Sequence, residues 1–117
     1  MGGTPLGPAA DLQPGDAKPY VVGAGTERRE VIVVRDPGAN GEGGLRAYLN
    51  ACPHRGTPLN LFEDDLWAED GAHLVCRTHG ALFRPADGLC MAGPCKGAGL
   101  VPLAVAVMDG MLVLIDR

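Results

Sequence analysis

The clearest pattern along the chain is a set of short apolar runs separated by glycine, aspartate and proline. Residues 30–35 centre on Val-Ile-Val-Val, and residues 19–22 and 45–50 have the same strand-like character. β-branched and aromatic residues suit a pleated, partly buried surface, so these three runs predict strands. The turn-rich stretch 36–44 between the last two predicts a hairpin loop. Further on, residues 66–69 and 73–76 flank Asp70-Gly71, and residues 81–83 and 89–91 flank Asp87-Gly88. Residues 105–108 and 111–115 flank Asp109-Gly110. Asp-Gly between two apolar runs is a hairpin signal, and at Asp109-Gly110 it predicts a two-residue turn of type I′, whose central residues both need positive φ. No window shows a helical period. The expectation is an all-β chain.

Composition sharpens this picture. With 117 residues, one domain with a modest core is expected, and 18 glycines and 10 prolines favour loops and strands over helices. The first 16 residues are rich in Gly, Pro and Ala and predict an irregular lead-in, with a single domain over residues 17–117. The net charge of −4 comes with no basic run, which argues against nucleic-acid binding and suits docking on a basic redox partner. The longest apolar stretch, residues 103–108, is too short to span a membrane. Residues 1–10 have neither a positively charged nor an apolar leader segment, so no signal peptide is expected. Arg28-Arg29 lies too far along the chain to read as a twin-arginine signal. A cytoplasmic location is the resulting expectation. Cysteines there serve metal or redox chemistry rather than structural disulfides.

Two motifs carry that chemistry: Cys52-Pro53-His54 and Cys76-Arg77-Thr78-His79, each with a glycine close behind (Gly56 and Gly80). Each offers one thiolate and one imidazole. A structural zinc site is the chemical rival. Zinc fingers, however, usually pair cysteine with cysteine and histidine with histidine, whereas both motifs here are mixed. The mixed pair matches a Rieske-type [2Fe–2S] centre, in which two cysteines hold one iron and two histidines the other. Neutral imidazoles in place of two thiolates make the centre easier to reduce than an all-cysteine one.

The run Cys52-Pro53-His54-Arg55-Gly56, the run Cys76 to Phe83, Asp87-Gly88 and Gly93-Pro94 together resemble the soluble Rieske ferredoxins. The resemblance covers about residues 18–115. It implies a Rieske fold of three antiparallel sheets, with a cluster-binding subdomain at about residues 51–95 inserted into a small β-sandwich-like base. It implies one [2Fe–2S] cluster, with Cys52 and Cys76 on the inner iron and His54 and His79 on the outer one near the surface. Gly93-Pro94-Cys95 matches the family's proline loop over the cluster. High-potential members carry a disulfide between the two ligand loops, at positions that match Thr57 and Thr78 here. They also carry a serine and a tyrosine that hydrogen-bond sulfur, at positions that match Ala81 and Phe83. The resemblance therefore runs to ferredoxin-type members of low potential.

Other residues have plainer readings. His73 is read as a solvated or hairpin-packed residue, not a ligand. Glu63, Asp64, Asp65, Glu69 and Asp70 are read as a solvated acidic loop, the alternative being a surface that orients a basic partner. Arg55 and Arg77 flank the ligands as surface residues or as local tuners of the field. Cys90 and Cys95 bracket the proline loop and are read as two thiols packed like small apolar side chains, a local disulfide being disfavoured in the cytosol.

The expected function is one-electron transfer from a reductase, such as a flavin reductase, to a terminal oxygenase or related oxidoreductase, as an electron carrier rather than an enzyme. Three alternatives stand beside it. One is the small subunit of a nitrite reductase-type complex, and another is a redox-sensing Rieske module. The third is a complete oxygenase, whose mononuclear iron needs two histidines and a carboxylate. With His54 and His79 committed, only His73 would be left for that site.

Overall fold

The computed structural model describes residues 3–13, 15–23, 25, 28–35, 45–51, 53, 59, 66–69, 73–76, 80–85, 87–93 and 97–115. Within it the third strand, β3 (Arg29–Arg35), explains the architecture. Side chains alternate across a strand, so Val31 and Val33 point to one face and Ile32 and Val34 to the other. All four are fully buried. A strand with water on one side would be polar at alternate positions; four consecutive apolar residues require a layer on each face. Val31 and Val33 pack with Leu12, Leu45, Leu112 and Leu114 in an inner core. Ile32 and Val34 pack with Tyr48, Leu59, Leu74, Phe83 and Leu100 in an outer one.

β1 (Gly3–Pro8), β2 (Ala17–Val22), β4 (Leu45–Leu49), β8 (Pro102–Met108) and β9 (Met111–Ile115) join β3 in one six-stranded sheet, in the order β1-β9-β8-β4-β3-β2. All pairings described in it are antiparallel. Its centre is thin: β4 and β8 share only the pairs Ala47↔Leu103 and Tyr48↔Pro102. The end strands β1 and β2 come back into contact, so the sheet wraps round the inner core. A second sheet, β5-β6-β7, consists of β5 (Leu74–Cys76), β6 (Ala81–Phe83) and β7 (Cys90–Ala92) and covers the outer core. Three antiparallel sheets were expected; two of them are joined edge to edge through the short β4–β8 ladder.

The lead-in expected to be irregular is not so over residues 3–12. β1 pairs with β9 from Gly3↔Ile115 to Pro8↔Met111, with an irregularity between Pro5 and Gly7. A 3-10 turn, Ala9–Asp11, follows and sets Leu12 into the inner core with no exposed surface. The segment lacks any apolar alternation, and its prolines are tolerated because β1 ends the strand order. Its conformation is imposed by β9.

The predicted C-terminal hairpin is present. Asp109 and Gly110 have φ of 51° and 79°, the two positive values that a type I′ turn requires. The hairpin predicted around Asp70-Gly71 is tied by Val75 N–H to Leu66 O (2.9 Å) and Ala68 N–H to His73 O (2.8 Å). Its turn residues, and the loop 36–44, lie outside the described residues. Among the described residues no helix is long and apolar enough to cross a membrane.

Candidate metal centre

The site is built from three chain segments that spring from the outer core. The second ligand motif starts at the end of β5, where Cys76 pairs with Ala81 of β6 and has no exposed surface. The hairpin between them is closed by Gly80 N–H donating to Cys76 O at 2.8 Å. Cys76 packs among Leu74, Ala81 and Phe83, an apolar, water-excluded setting.

The first ligand motif leaves the end of β4. Asn50 N–H donates to Glu30 O (2.8 Å), which extends the β3–β4 ladder one residue past Leu49. The chain returns at Leu59, whose side chain is fully buried in the same core as Cys76. Leu59 N–H donates to Asn50 Oδ1 at 2.8 Å. The segments that carry the two motifs are therefore rooted in one core, as a single shared centre would require.

The third segment follows β7. A Cβ placed on Gly93, whose φ is 103°, would stand 2.7 Å from Ala81 Cα and 3.1 Å from Ala81 Cβ. Only glycine permits that approach. The start of the segment matched to the proline loop is thus held directly against the residue that closes the second ligand hairpin.

Of the expected ligands, Cys76 is placed as described, while Cys52, His54 and His79 lie outside the described residues, as do Thr57, Thr78, Arg55, Arg77 and Cys95. A thiol buried at the end of a strand, beside a tight hairpin, fits the inner-iron cysteine of a mixed donor set. His73 lies in the hairpin before β5, half-buried, with its carbonyl accepting from Ala68. Cys90 is buried in the outer core, its thiol donating to Ala92 O at 3.3 Å. Ala81 and Phe83 are both fully buried and carry no hydrogen-bond donor on their side chains.

Polar groups brace the edge of the site. Tyr48 on β4 donates its hydroxyl to Pro85 O at 2.7 Å, tying the β6–β7 turn to the base. Within that turn Arg84 Nε donates to Asp87 Oδ1 (3.0 Å) and Arg84 Nη2 to Asp87 Oδ2. Asp87 Oδ1 also accepts from Leu89 N–H at 3.1 Å. The hydrogen bond from Arg84, and then that from the Leu89 amide, holds the Asp87 carboxyl below its ordinary range. Sequence reasoning missed Tyr48 and Asn50. The available signal for Asn50 was an amide directly after an apolar strand and two residues before Cys52.

Comparison with known proteins agrees with this geometry. The family model described as Rieske [2Fe-2S] domain matches residues 3–109. The chain is 43% identical over 74 residues to the oxygenase component of chloroacetanilide N-alkylformylase from Rhizorhabdus wittichii. That match covers 63% of the chain and 18% of the relative, so the aligned region is a small part of that protein. Among solved structures, the ferredoxin of carbazole 1,9a-dioxygenase from Nocardioides aromaticivorans IC177 superposes with a TM-score of 0.70 at 20% identity, covering 100% of both chains. The terminal oxygenase of carbazole 1,9a-dioxygenase from the same organism superposes with a TM-score of 0.71 at 20% identity, covering 98% of this chain and 30% of that one. At such identities the structural likeness establishes the fold. The family match spans nearly the whole chain and leads to one conclusion: this chain belongs to the Rieske [2Fe–2S] domain family, and its cofactor is one [2Fe–2S] cluster.

Proposed function

We propose that this chain is a one-electron carrier that takes an electron from a reductase and passes it to a terminal oxygenase, with Cys52, His54, Cys76 and His79 as the cluster ligands. When bound, the [2Fe–2S] cluster supplies the one-electron redox chemistry. The chain supplies binding, burial and electrostatics. Cys76 brings a thiolate to a site from which the outer core excludes water. His54 and His79 provide neutral donors, which keep the net charge of the ligand set low. The observation that carries the reading is that Leu59, which closes the first ligand segment, and Cys76, which opens the second, are buried in the same core. The full-length likeness to a dioxygenase ferredoxin supports the carrier role, and a cytoplasmic location goes with it.

Ala81 and Phe83 offer no hydroxyl to sulfur, so negative charge gained on reduction is stabilised less than in members with serine and tyrosine there. The midpoint accordingly falls in the lower part of the range of about −150 to +300 mV. Ala81→Ser and Phe83→Tyr should each raise it where the new hydroxyl reaches sulfur.

The 43% identity to an oxygenase component favours a second reading, in which this chain is the electron-accepting module of an oxygenase. Within these 117 residues His73 is the one histidine not assigned to the cluster, so a two-histidine iron site would have to come from outside them.

The test is reduction of the purified protein, followed by electron paramagnetic resonance and rapid mixing with a separately purified terminal oxygenase. A reduced signal with average g below that of all-cysteine ferredoxins, and reoxidation by the oxygenase, are expected. A colourless protein with stoichiometric zinc and no acid-labile sulfide would overturn the ligand assignment. A correctly ligated protein that reduces no separate oxygenase would favour the second reading.

A further inference from the structure

Among the described residues Asn50 is the one polar side chain in the buried set, at 4% exposure. A buried amide is tolerated only when its polar atoms are hydrogen-bonded, so its placement calls for a specific partner. That partner is the main chain nine residues further on: Asn50 Oδ1 accepts from Leu59 N–H at 2.8 Å. Leu59 lies outside every strand, so its amide has no ladder partner. The backbone of Asn50 is itself fixed, through its N–H to Glu30 O at 2.8 Å, and Ala51 N–H turns back to Leu49 O at 2.8 Å.

We infer that Asn50 is a positioning residue that clamps the mouth of the first ligand loop, holding the segment that carries Cys52 and His54 at a fixed span whether or not the cluster is bound. The inference rests on the ligand assignment proposed above. One end of the clamp is anchored in the β3–β4 ladder. The other is anchored by the Leu59 side chain in the core that also buries Cys76. The distance between the roots of the two ligand segments is therefore held by packing and by the hydrogen bond from Leu59 to Asn50. Asparagine provides the acceptor without a charge. Aspartate would provide the same acceptor but would bury an anion beside a centre that gains negative charge on reduction, which disfavours the reduced state. Leucine has the same branched skeleton, is bulkier, and has no acceptor, so the buried Leu59 amide would be left unsatisfied.

The experiment compares wild-type holoprotein with Asn50→Leu and Asn50→Asp, reading iron release to a chelator, hydrogen exchange at the Leu59 amide, and midpoint potential. Asn50→Leu is expected to speed iron release about tenfold or more and to expose the Leu59 amide, since losing a buried hydrogen bond of this kind weakens a local structure by about that factor. Asn50→Asp is expected to keep the Leu59 amide protected and iron release within about twofold of wild type, while lowering the midpoint. Wild-type iron release and unchanged Leu59 protection in Asn50→Leu would overturn the inference. If Asn50→Leu does not fold, the aspartate variant decides alone: a protected Leu59 amide with a lowered midpoint supports the clamp, and an exposed amide or an unchanged midpoint overturns it. Failure of the ligand assignment itself would appear in the wild type, as missing acid-labile sulfide. Failure of the clamp would appear only in the variants relative to wild type.

Discussion

The two faces of β3 support two regions built on different terms. On the inner face, strands of five to seven residues run in long registers, with six consecutive pairs between β2 and β3 and five between β8 and β9. On the outer face, β5, β6 and β7 have three residues each, with three pairs between β5 and β6 and two between β6 and β7. So few ladder bonds give little stability of their own. The outer region is held instead by bonds from loops, such as Cys90 N–H to Ala98 O (2.9 Å) and Leu100 N–H to Gly88 O (2.9 Å), and by the Tyr48 and Asn50 struts from the base. The base is stabilised by repetitive burial. The outer region trades regular structure for specific placement of its loops, and a cofactor that binds only the native state would add to its stability.

The largest test of this contrast is Cys76→Ser. The cluster should be lost altogether, and hydrogen exchange should rise across β5, β6 and β7 while β3 and β9 stay protected. A uniform rise over the whole chain would mean the two regions are one cooperative unit. Next in size is Leu112→Ala, which empties part of the inner core beneath β3. It should destabilise the fold by about 2–5 kcal/mol in denaturant unfolding. The midpoint of the surviving holoprotein should be unchanged, because Leu112 belongs to the core on the far face of β3 from Cys76.

Tyr48→Phe is smaller, since it removes only the hydroxyl that donates to Pro85 O. A loss of about 1 kcal/mol is expected, with faster exchange confined to the β6–β7 turn. A change spread over β3 and β9 would show that Tyr48 acts through core packing rather than as a strut. The smallest effect concerns acid. Asp87 has its folded-state pKa lowered, first by the hydrogen bond from Arg84 and then by that from the Leu89 amide. Its contribution to stability is therefore present above the ordinary carboxylate pKa and fades as pH falls through the lowered folded value. Asp87→Asn should flatten that part of the acid-unfolding curve through a small loss of stability near neutrality that vanishes in acid, small because the pair is solvent-exposed. Equal pH dependence in variant and wild type would assign the acid sensitivity to other carboxylates.

Much of this molecule could be read from short stretches of sequence. The hairpin at Asp109-Gly110 was legible because a type I′ turn demands positive φ at two adjacent residues, and the chain supplies residues that accept it. The kind of cofactor was legible because the donor set for iron is small and spaced closely along the chain. β1 was illegible, because its glycines and prolines carry no alternation and its geometry comes from β9, about a hundred residues away. The role of Asn50 was hidden for the same reason on a smaller scale: it exists only once Leu59 returns to the core.

By itself, then, the amino-acid sequence determined the all-β class, the main hairpins and the kind of metal centre, since each depends on residues adjacent or nearly adjacent along the chain. Only the tertiary structure decided that β3 is covered on both faces, that the base sheet closes through a two-pair junction, and that one buried amide ties Leu59 to the end of β4. Those features depend on contacts between segments far apart in sequence, and local pattern carries no record of which segment will arrive on the other side.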